Sequence, residues 1–330
     1  MEAAGIINDR PRHVVWEVRH AGSRFAGLGR AQRERLIDEV AAIAPHQLTL
    51  AGDLAACDDL LELIARANDR GLTVDLQPAV TPQFLRLDFG SLRDAGARRL
   101  TLGIHGSSAA SHGGQRGSWE RALDALSLAR RARIAVQVHT TFSRMNAAEW
   151  PALVRLMIRL RPAPWCVSFL VPDRRGARRD MLDPLSAETL LRALIAAHAE
   201  KHISVHTVEV PQFRRIAMET GAHLAANDER HSLFISHLGE IQPSAALPIA
   251  CGNVKSHYLL DVYRAAPVLR RLRDSSLLKG KCGRCEFRKI CGGSRARAYA
   301  VTGDYLAEEP TCPHQPMRAV AGEWAAVSRL

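Results

Sequence analysis

Lys281-Cys282-Gly-Arg-Cys285-Glu-Phe-Arg-Lys-Ile-Cys291-Gly292-Gly293-Ser-Arg295-Ala-Arg-Ala-Tyr-Ala-Val-Thr-Gly-Asp304, completed by Glu309-Pro-Thr-Cys312, is the stretch from which the rest of the chain is read. Four of the seven cysteines stand in it, in a Cys-x2-Cys-x5-Cys-x20-Cys spacing. Cysteines two residues apart can turn their thiolates toward one centre, a third arrives after one more turn, and a fourth returns from a distant loop. Gly280, Gly283, Gly292 and Gly293 flank them. Glycines let backbone approach an inorganic core closely and offer N–H groups to its sulfurs. An odd cysteine total without a secretory leader argues for metal chemistry over a disulfide framework. Zinc and an iron–sulfur cluster both accept four cysteines, and the spacing does not choose between them. From Lys279 onward, cysteines, glycines and turn residues predict a small domain built around a site rather than a core.

Upstream, the hydrophobic pattern alternates. Short β-branched or apolar runs occur at Val14–Val18, Leu48–Leu50, Thr73–Leu76, Arg99–Ile104, Ala135–Thr141 and Cys166–Val171. Longer helical patterns separate them, at Gln32–Ile43, Leu60–Asn68, Trp119–Ala132 and Ala147–Leu160. Strand alternating with helix reads as βαβ units on a parallel sheet. Six such units predict an α/β partial (β/α)6 barrel with its functional face at the C-terminal strand ends. After Pro184 the spacing predicts a helix over Ser186–His202 capped by its serine, a hairpin over Ser232–Ile241 turning at Leu238-Gly239, and one basic helix over Asp261–Arg273. The expected division is a tail over 1–12, the barrel over 13–216 and the cysteine-bearing domain over 217–330.

A chain of 330 residues with 47% hydrophobic and 24% charged residues can bury a sizeable core. No stretch approaches the roughly 18 apolar residues of a membrane helix, and Met1–Arg12 has no apolar leader core. A cytoplasmic location is expected. The net charge of +11 raises nucleic acid as a partner, but the arginines are dispersed and lack interleaved aromatics. An anionic small ligand or acidic partner suits the charge better.

The cysteine stretch closely resembles the C-terminal SPASM-type domain of radical-SAM enzymes, and is most similar to the group that modifies tetrapyrroles in haem and haem d1 formation. The likeness continues in Ser236-His-Leu-Gly-Glu-Ile-Gln-Pro-Ser244, Gly252-Asn-Val-Lys255, Glu209-Val-Pro-Gln-Phe-Arg-Arg215, Leu170-Val-Pro172 with Arg175-Gly176, and Gln137-Val-His-Thr-Thr141 with Arg144 and Asn146. It covers about Val14 to Pro316. The resemblance implies the partial barrel, and a 4Fe–4S cluster on Cys282, Cys285, Cys291 and Cys312. It also implies one cluster rather than two, because Ser244 and Arg295 stand where the longer pattern has cysteines. Four thiolates would fill all four irons, which suits electron transfer or structural stapling.

The resemblance also shows a departure. Active members carry Cys-x3-Cys-x2-Cys after the first strand, for the cluster that binds S-adenosylmethionine. Here those positions are Gly22, Ala26 and Gly29. The family's Gly-Gly-Asp/Glu-Pro loop reads Ala51-Gly52-Asp53-Leu54, and its Ser-x-Asp-Gly stretch reads Gly103-Ile-His105-Gly106. Three cofactor elements differ together, so S-adenosylmethionine is not an expected cofactor and a pseudoenzyme is expected. It would serve as partner, electron-transfer or ligand-binding subunit beside an active radical-SAM paralogue. The alternative is an enzyme acting on a tetrapyrrole or peptide with altered cofactor ligation, drawing on His20, Cys57, His105 or His112. Cys57, Cys166 and Cys251 otherwise read as buried apolar residues. His112, Arg116, Arg144, Asn146, Arg214 and Arg215 match family positions and are expected to hold an anionic tetrapyrrole or peptide, since guanidinium forks pair with carboxylates. The competing expectation pairs these arginines with local acids such as Glu17, Asp53 and Glu209.

Overall fold

The computed structural model describes residues 10–23, 25, 27–114, 116–172, 178–200, 203–222 and 229–316. Ala26, the Arg175-Gly176 pair and most of the N-terminal tail lie outside them.

The described strands are β1 (His13–Arg19), β2 (Gln47–Gly52), β3 (Val74–Pro78), β4 (Ala97–Gly103), β5 (Ala135–Phe142), β6 (Trp165–Phe169), β7 (Val205–Thr207), β8 (Ser232–Ile235), β9 (Glu240–Gln242) and β10 (Gly252–Asn253). They form one sheet in the order β10-β9-β8-β1-β2-β3-β4-β5-β6-β7. From β8 through β7 all neighbours run parallel. β9 and β10 extend the β8 side antiparallel. β7 and β10 stand at opposite edges, so the barrel is open.

The six expected strands are β1 to β6. β1 alternates between half-buried and buried residues, with Val14, Trp16 and Val18 facing the core. β6 is buried along its whole length, as befits a strand covered on both faces. Two strands complete the parallel set. β7 is only three residues long, too short for its alternation to register. β8 was expected in a hairpin, and that hairpin is present as β8–β9. Its pairing with β1, Val14 opposite Leu233 and Trp16 opposite Ile235, is long-range.

Two helices differ from their sequence patterns. The helix after residue 182 runs Pro184–Ala199, capped by Asp183, whose carboxylate accepts from the N–H groups of Leu185 and Ser186. A proline at the first helical position needs no N–H partner, so the helix starts two residues before the serine. The basic segment is two helices, Leu259–Ala265 and Pro267–Arg273. Pro267 has no N–H to continue the ladder and turns Ala266 out of helical conformation.

Leu233, Ile235, Ile241, Val254 and Leu259 share one hydrophobic cluster with Val14, Leu48 and Leu100. Residues on both sides of the expected 216/217 boundary therefore pack in a common core. A second cluster lies under β5 to β7 around Trp165, Phe213 and Leu191.

The cysteine-bearing segment is fastened differently. Arg297 and Glu309 are both fully buried and paired, Nε to Oε1 at 3.0 Å. Glu309 also accepts from the N–H of Ser294 at 2.6 Å, and from the N–H and hydroxyl of Thr311 at 3.0 and 2.7 Å. Burial pushes its pKa up, but the Arg297 charge and these hydrogen bonds outweigh it and hold the carboxyl below its usual range. Glu309→Gln keeps the shape but leaves Arg297 buried without a counter-charge, which should cost about 3–5 kcal/mol. Urea denaturation and limited proteolysis of the C-terminal segment should show the loss; an unchanged midpoint would mean that the pair does not hold this region.

Candidate functional site

Cys282, Cys285, Cys291 and Cys312 line one cavity, together with Gly292, Gly293, Glu309 and His314. Cys282 sits in the short helix Gly280–Arg284, and Cys285 ends it. Cys291 closes the following turn, its N–H donating to the Phe287 carbonyl at 2.8 Å. Cys312 arrives on the loop that Glu309 anchors, and its carbonyl accepts from Lys281 Nζ at 2.5 Å. Gly293 has a φ of +68°, and a Cβ there would press on the side chain of Glu309 and lie 3.3 Å from the Cys282 sulfur. The glycine is needed because a side chain would fill the space between the sulfurs and the ion pair.

A backbone N–H is directed at each sulfur. Glu309 donates to Cys282 Sγ at 3.3 Å. Phe287, Gly293 and His314 supply the N–H groups for Cys285, Cys291 and Cys312. Burial pushes the thiols up, Cys285 to about 11 and Cys291 to about 12, while those N–H groups pull the other way. Burial alone thus keeps them neutral, and a cationic centre would reverse the preference.

The spacing of the donors separates two kinds of centre. A single zinc ion with Zn–S bonds of about 2.3 Å holds its sulfurs about 3.8 Å apart. Among the described residues, the groups whose donor atoms all lie within 4.8 Å of one another are Glu17–His20–His237 and Cys285–Glu286–His314. No three of the four sulfurs form such a group. In every trio of these sulfurs at least one pair therefore stands more than 4.8 Å apart, wider than a single zinc ion holds its thiolates.

A second cavity adjoins the first through Arg288, Cys291, Gly292 and Gly293. Ser244 and Arg295 both line it. Ser244 and Ser294 hydroxyls donate to the two oxygens of Glu209 at 2.9 and 3.0 Å. The Arg295 guanidinium donates to the carbonyls of Gly293, Tyr305 and Ala307. Arg214, Arg230 and Arg288 line it as well, together with apolar residues such as Leu247, Leu272 and Leu278.

The strand-end loops are built otherwise. Gly22 is exposed with a φ of +76°. The Gly29 N–H donates to Gln32 Oε1 at 2.9 Å ahead of helix Arg30–Ile43. Gly52 has a φ of +99°, and any Cβ there would collide with the Arg19 carbonyl. Backbone packing between β1 and β2 thus requires this glycine, and the Asp53 N–H bonds to the same carbonyl at 2.8 Å. Gly103 ends β4. His105 Nδ1 accepts from the Thr141 N–H at 3.1 Å, and His112 Nδ1 accepts from the His105 N–H at 3.2 Å. Burial first, then the neighbouring His112, pushes His105 down to about 4, so it is a neutral ring near pH 7. Cys57 is buried, donates its thiol to Asp59 at 3.2 Å, and is pushed up to about 12 by that burial. His20 is apart from these groups and lies against Glu17 and His237. The sequence reading named His20 but missed Glu17 and His237 as its companions, since they come from β1 and from the β8–β9 turn.

The residues expected to hold an anion are dispersed. Arg116 and Arg144 are exposed. Asn146 is buried, its amide donating to the carbonyls of His105 and Thr141 at 2.6 and 2.9 Å, so it braces a loop. Arg214 donates to the Ile290 carbonyl at 3.1 Å and lines the second cavity. Arg215 is 3% exposed and bound by Glu188 and by Glu219, the latter at 2.6 Å. These acids are not the ones expected from the sequence.

No family model matches the chain. An AdoMet-dependent heme synthase of Methanosarcina barkeri is 31% identical over 94% of this chain and 98% of its own length. A PqqA peptide cyclase of Methylocella silvestris is 26% identical over 89% of this chain and 81% of its own. Streptococcus suis SuiB bound to S-adenosylmethionine superposes with a TM-score of 0.67 at 12% identity, covering 93% of this chain and 78% of that one.

Arg214 and Arg215 should separate on substitution. Arg215→Gln removes a buried charge from a network in which Arg192 still pairs with both Glu188 and Glu219, and should lower stability by about 1–3 kcal/mol. Arg214→Gln should leave the melting temperature nearly unchanged. Thermal unfolding of the two single variants checks this, and equal melting points would show that the Arg215 pairs carry no stability.

Proposed function

Because the chain belongs to the radical-SAM/SPASM family that includes the AdoMet-dependent heme synthases, we propose that it is a degenerate member which holds one 4Fe–4S cluster on Cys282, Cys285, Cys291 and Cys312. It serves as an electron-transfer or ligand-binding subunit beside an active relative, in the maturation of a tetrapyrrole or peptide. The observation that carries this reading is the four-cysteine cavity with one backbone N–H aimed at each sulfur. Such N–H groups stabilise thiolate charge and tune a cluster's potential. The cluster would supply one-electron chemistry. The protein's part is to bind it through all four irons, to shield it beneath Glu309 and Gly293, and to leave no iron open to a ligand.

The radical half of the family's chemistry has no footing in the loop after β1. Gly22 and Gly29 carry no donor atom, Ala26 has none by its chemistry, and Cys57 is engaged with Asp59. These residues do not fit a cysteine-held cluster, and no step is assigned to S-adenosylmethionine. Within the proposed division, residues 13–216 present the strand ends and residues 217–330 carry the cluster. This reading assigns the anionic ligand to the second cavity, which Arg214, Arg230 and Arg288 help to line next to Cys291. Carboxylates of a tetrapyrrole or acidic peptide bound there would lie beside the electron carrier.

Anaerobically reconstituted protein should be brown and contain about four irons and four sulfides per chain, the content of one cubane cluster. Cys285→Ala should remove the colour and loosen the C-terminal segment, which has little apolar core of its own. Stoichiometric zinc without iron after the same treatment would overturn the cluster.

Catalysis is tested separately. With dithionite and S-adenosylmethionine, the wild-type chain should form no 5′-deoxyadenosine above the rate without enzyme. Sustained turnover measured by chromatography would return the chain to the active enzymes.

A further inference from the structure

The loop after β1 lacks cysteines but does not lack donors. The pairing of β1 with β8 sets Trp16 opposite Ile235, so that Glu17, near the end of β1, and His237, two residues beyond β8, come together. His20, the first residue after β1, folds back onto both. Glu17 Oε1 lies 2.7 Å from His20 Nδ1, and Glu17 Oε2 lies 3.1 Å from His237 Nδ1. The two imidazoles stack at 5.4 Å with an interplanar angle of 22°. Donor atoms of all three residues lie within 4.8 Å of one another.

We infer that Glu17, His20 and His237 bind a divalent first-row transition-metal ion of the Zn²⁺ or Fe²⁺ class, at the strand-end position where the family's cysteine loop is missing. Two imidazoles and one carboxylate are the donor set of open zinc sites and of ferrous facial triads. Ligands about 2.1 Å from such an ion, at tetrahedral or octahedral angles, are about 3.0–3.4 Å apart, close to the two spacings here. An outer contact orients the ring: His237 Nε2 lies 3.0 Å from Ser23 Oγ, which leaves Nδ1 to face the carboxylate. Fixing one ring nitrogen so that the other addresses a metal is the usual second-shell arrangement. The loop is held as well, with the Ser23 N–H on the His20 carbonyl at 3.1 Å and the Leu28 N–H on the His237 carbonyl at 3.2 Å. Glu17 and His237 are 19% and 13% exposed at their side chains, whereas His20 is 58% exposed. The inner two ligands are thus preformed, and the third opens to solvent, giving an ion an entry path and room for water or a ligand. The competing arrangement is metal-free, each imidazole donating Nδ1–H to the carboxylate, and binding separates the two.

The test uses full-length protein with its iron–sulfur cluster reconstituted, so that the cysteine thiols are occupied, dialysed against micromolar Zn²⁺. One zinc per chain is expected, with an X-ray absorption first shell of nitrogen and oxygen and no sulfur. His20→Ala, His237→Ala and the nearly isosteric Glu17→Gln should each weaken zinc binding at least tenfold, with iron content and melting temperature unchanged. Absence of zinc, or zinc retained equally by all three variants, overturns the site. Zinc with sulfur neighbours also overturns it, by placing the ion on the cysteines. If the chain takes up no cluster yet binds zinc with nitrogen and oxygen ligands that these variants remove, the metal site stands and the cluster reading alone fails.

Discussion

A buried ion pair ties the cysteine-bearing segment to the sheet. Arg297 stands over the Phe169 ring at the end of β6, 5.8 Å from guanidinium to centroid, and reaches the Gln212 side chain at 3.5 Å. Its partner Glu309 gathers Ser294 and Thr311, and presents its own N–H to Cys282. Glu309 therefore joins the segments that carry Cys282, Cys291 and Cys312 to the helix Arg295–Thr302 and to the barrel. Removing two charges from water is costly, and such pairs are weak stabilisers compared with apolar replacements. Their value lies in direction: a carboxylate with four donors has one orientation, and the sulfur-bearing loops inherit it.

The same reasoning distinguishes the two cavities near Cys291. The first is walled by thiols and backbone N–H groups, and suits a cationic inorganic centre. The second has an apolar part, with Leu247, Leu272 and Leu278, beside four arginines and Glu209, a residue held at a positive φ of 57° while two serine hydroxyls occupy its oxygens. Arg295 donates from Nε and Nη1 to three backbone carbonyls, so this region is braced by the protein's own hydrogen bonds. One cavity gathers thiols, and the other sets arginines beside an apolar wall.

At the strand ends, backbone geometry accounts for individual residues. Gly52 remains because the β1–β2 crossing leaves no room for a Cβ. Asn146 remains because its amide closes the loop after β5 onto the carbonyl of His105. Residues of this kind serve folding, whatever chemistry the loops perform. Gly22 has open space around it, and its φ of +76° alone favours glycine.

How much of this was legible in advance follows from the range of the interactions. Alternation within β1 to β6 and the helical periodicity between them are local, and they were enough for an α/β parallel sheet. The cysteine spacing is also local, and it marked the segment whose four thiols share one cavity with its glycines. β7 is too short to show a pattern, and the attachment of β8 to β1 joins residues more than 200 apart in sequence, so neither could be read from a window of residues. Pro267 was visible, but a continuous basic face masked the break it makes. The anion-binding reading of Arg215 came from residue type and from a resemblance to family positions, whereas its consumption by Glu188 and Glu219 depends on which helices pack together. Sequence by itself determined the class of fold and which segment carries soft metal donors, because both are written in short-range periodicity and spacing. Only the tertiary structure decided that Glu17, His20 and His237 converge, that two cavities meet at Cys291, and that one arginine is structural while its neighbour lines a cavity, because each depends on strand order and burial.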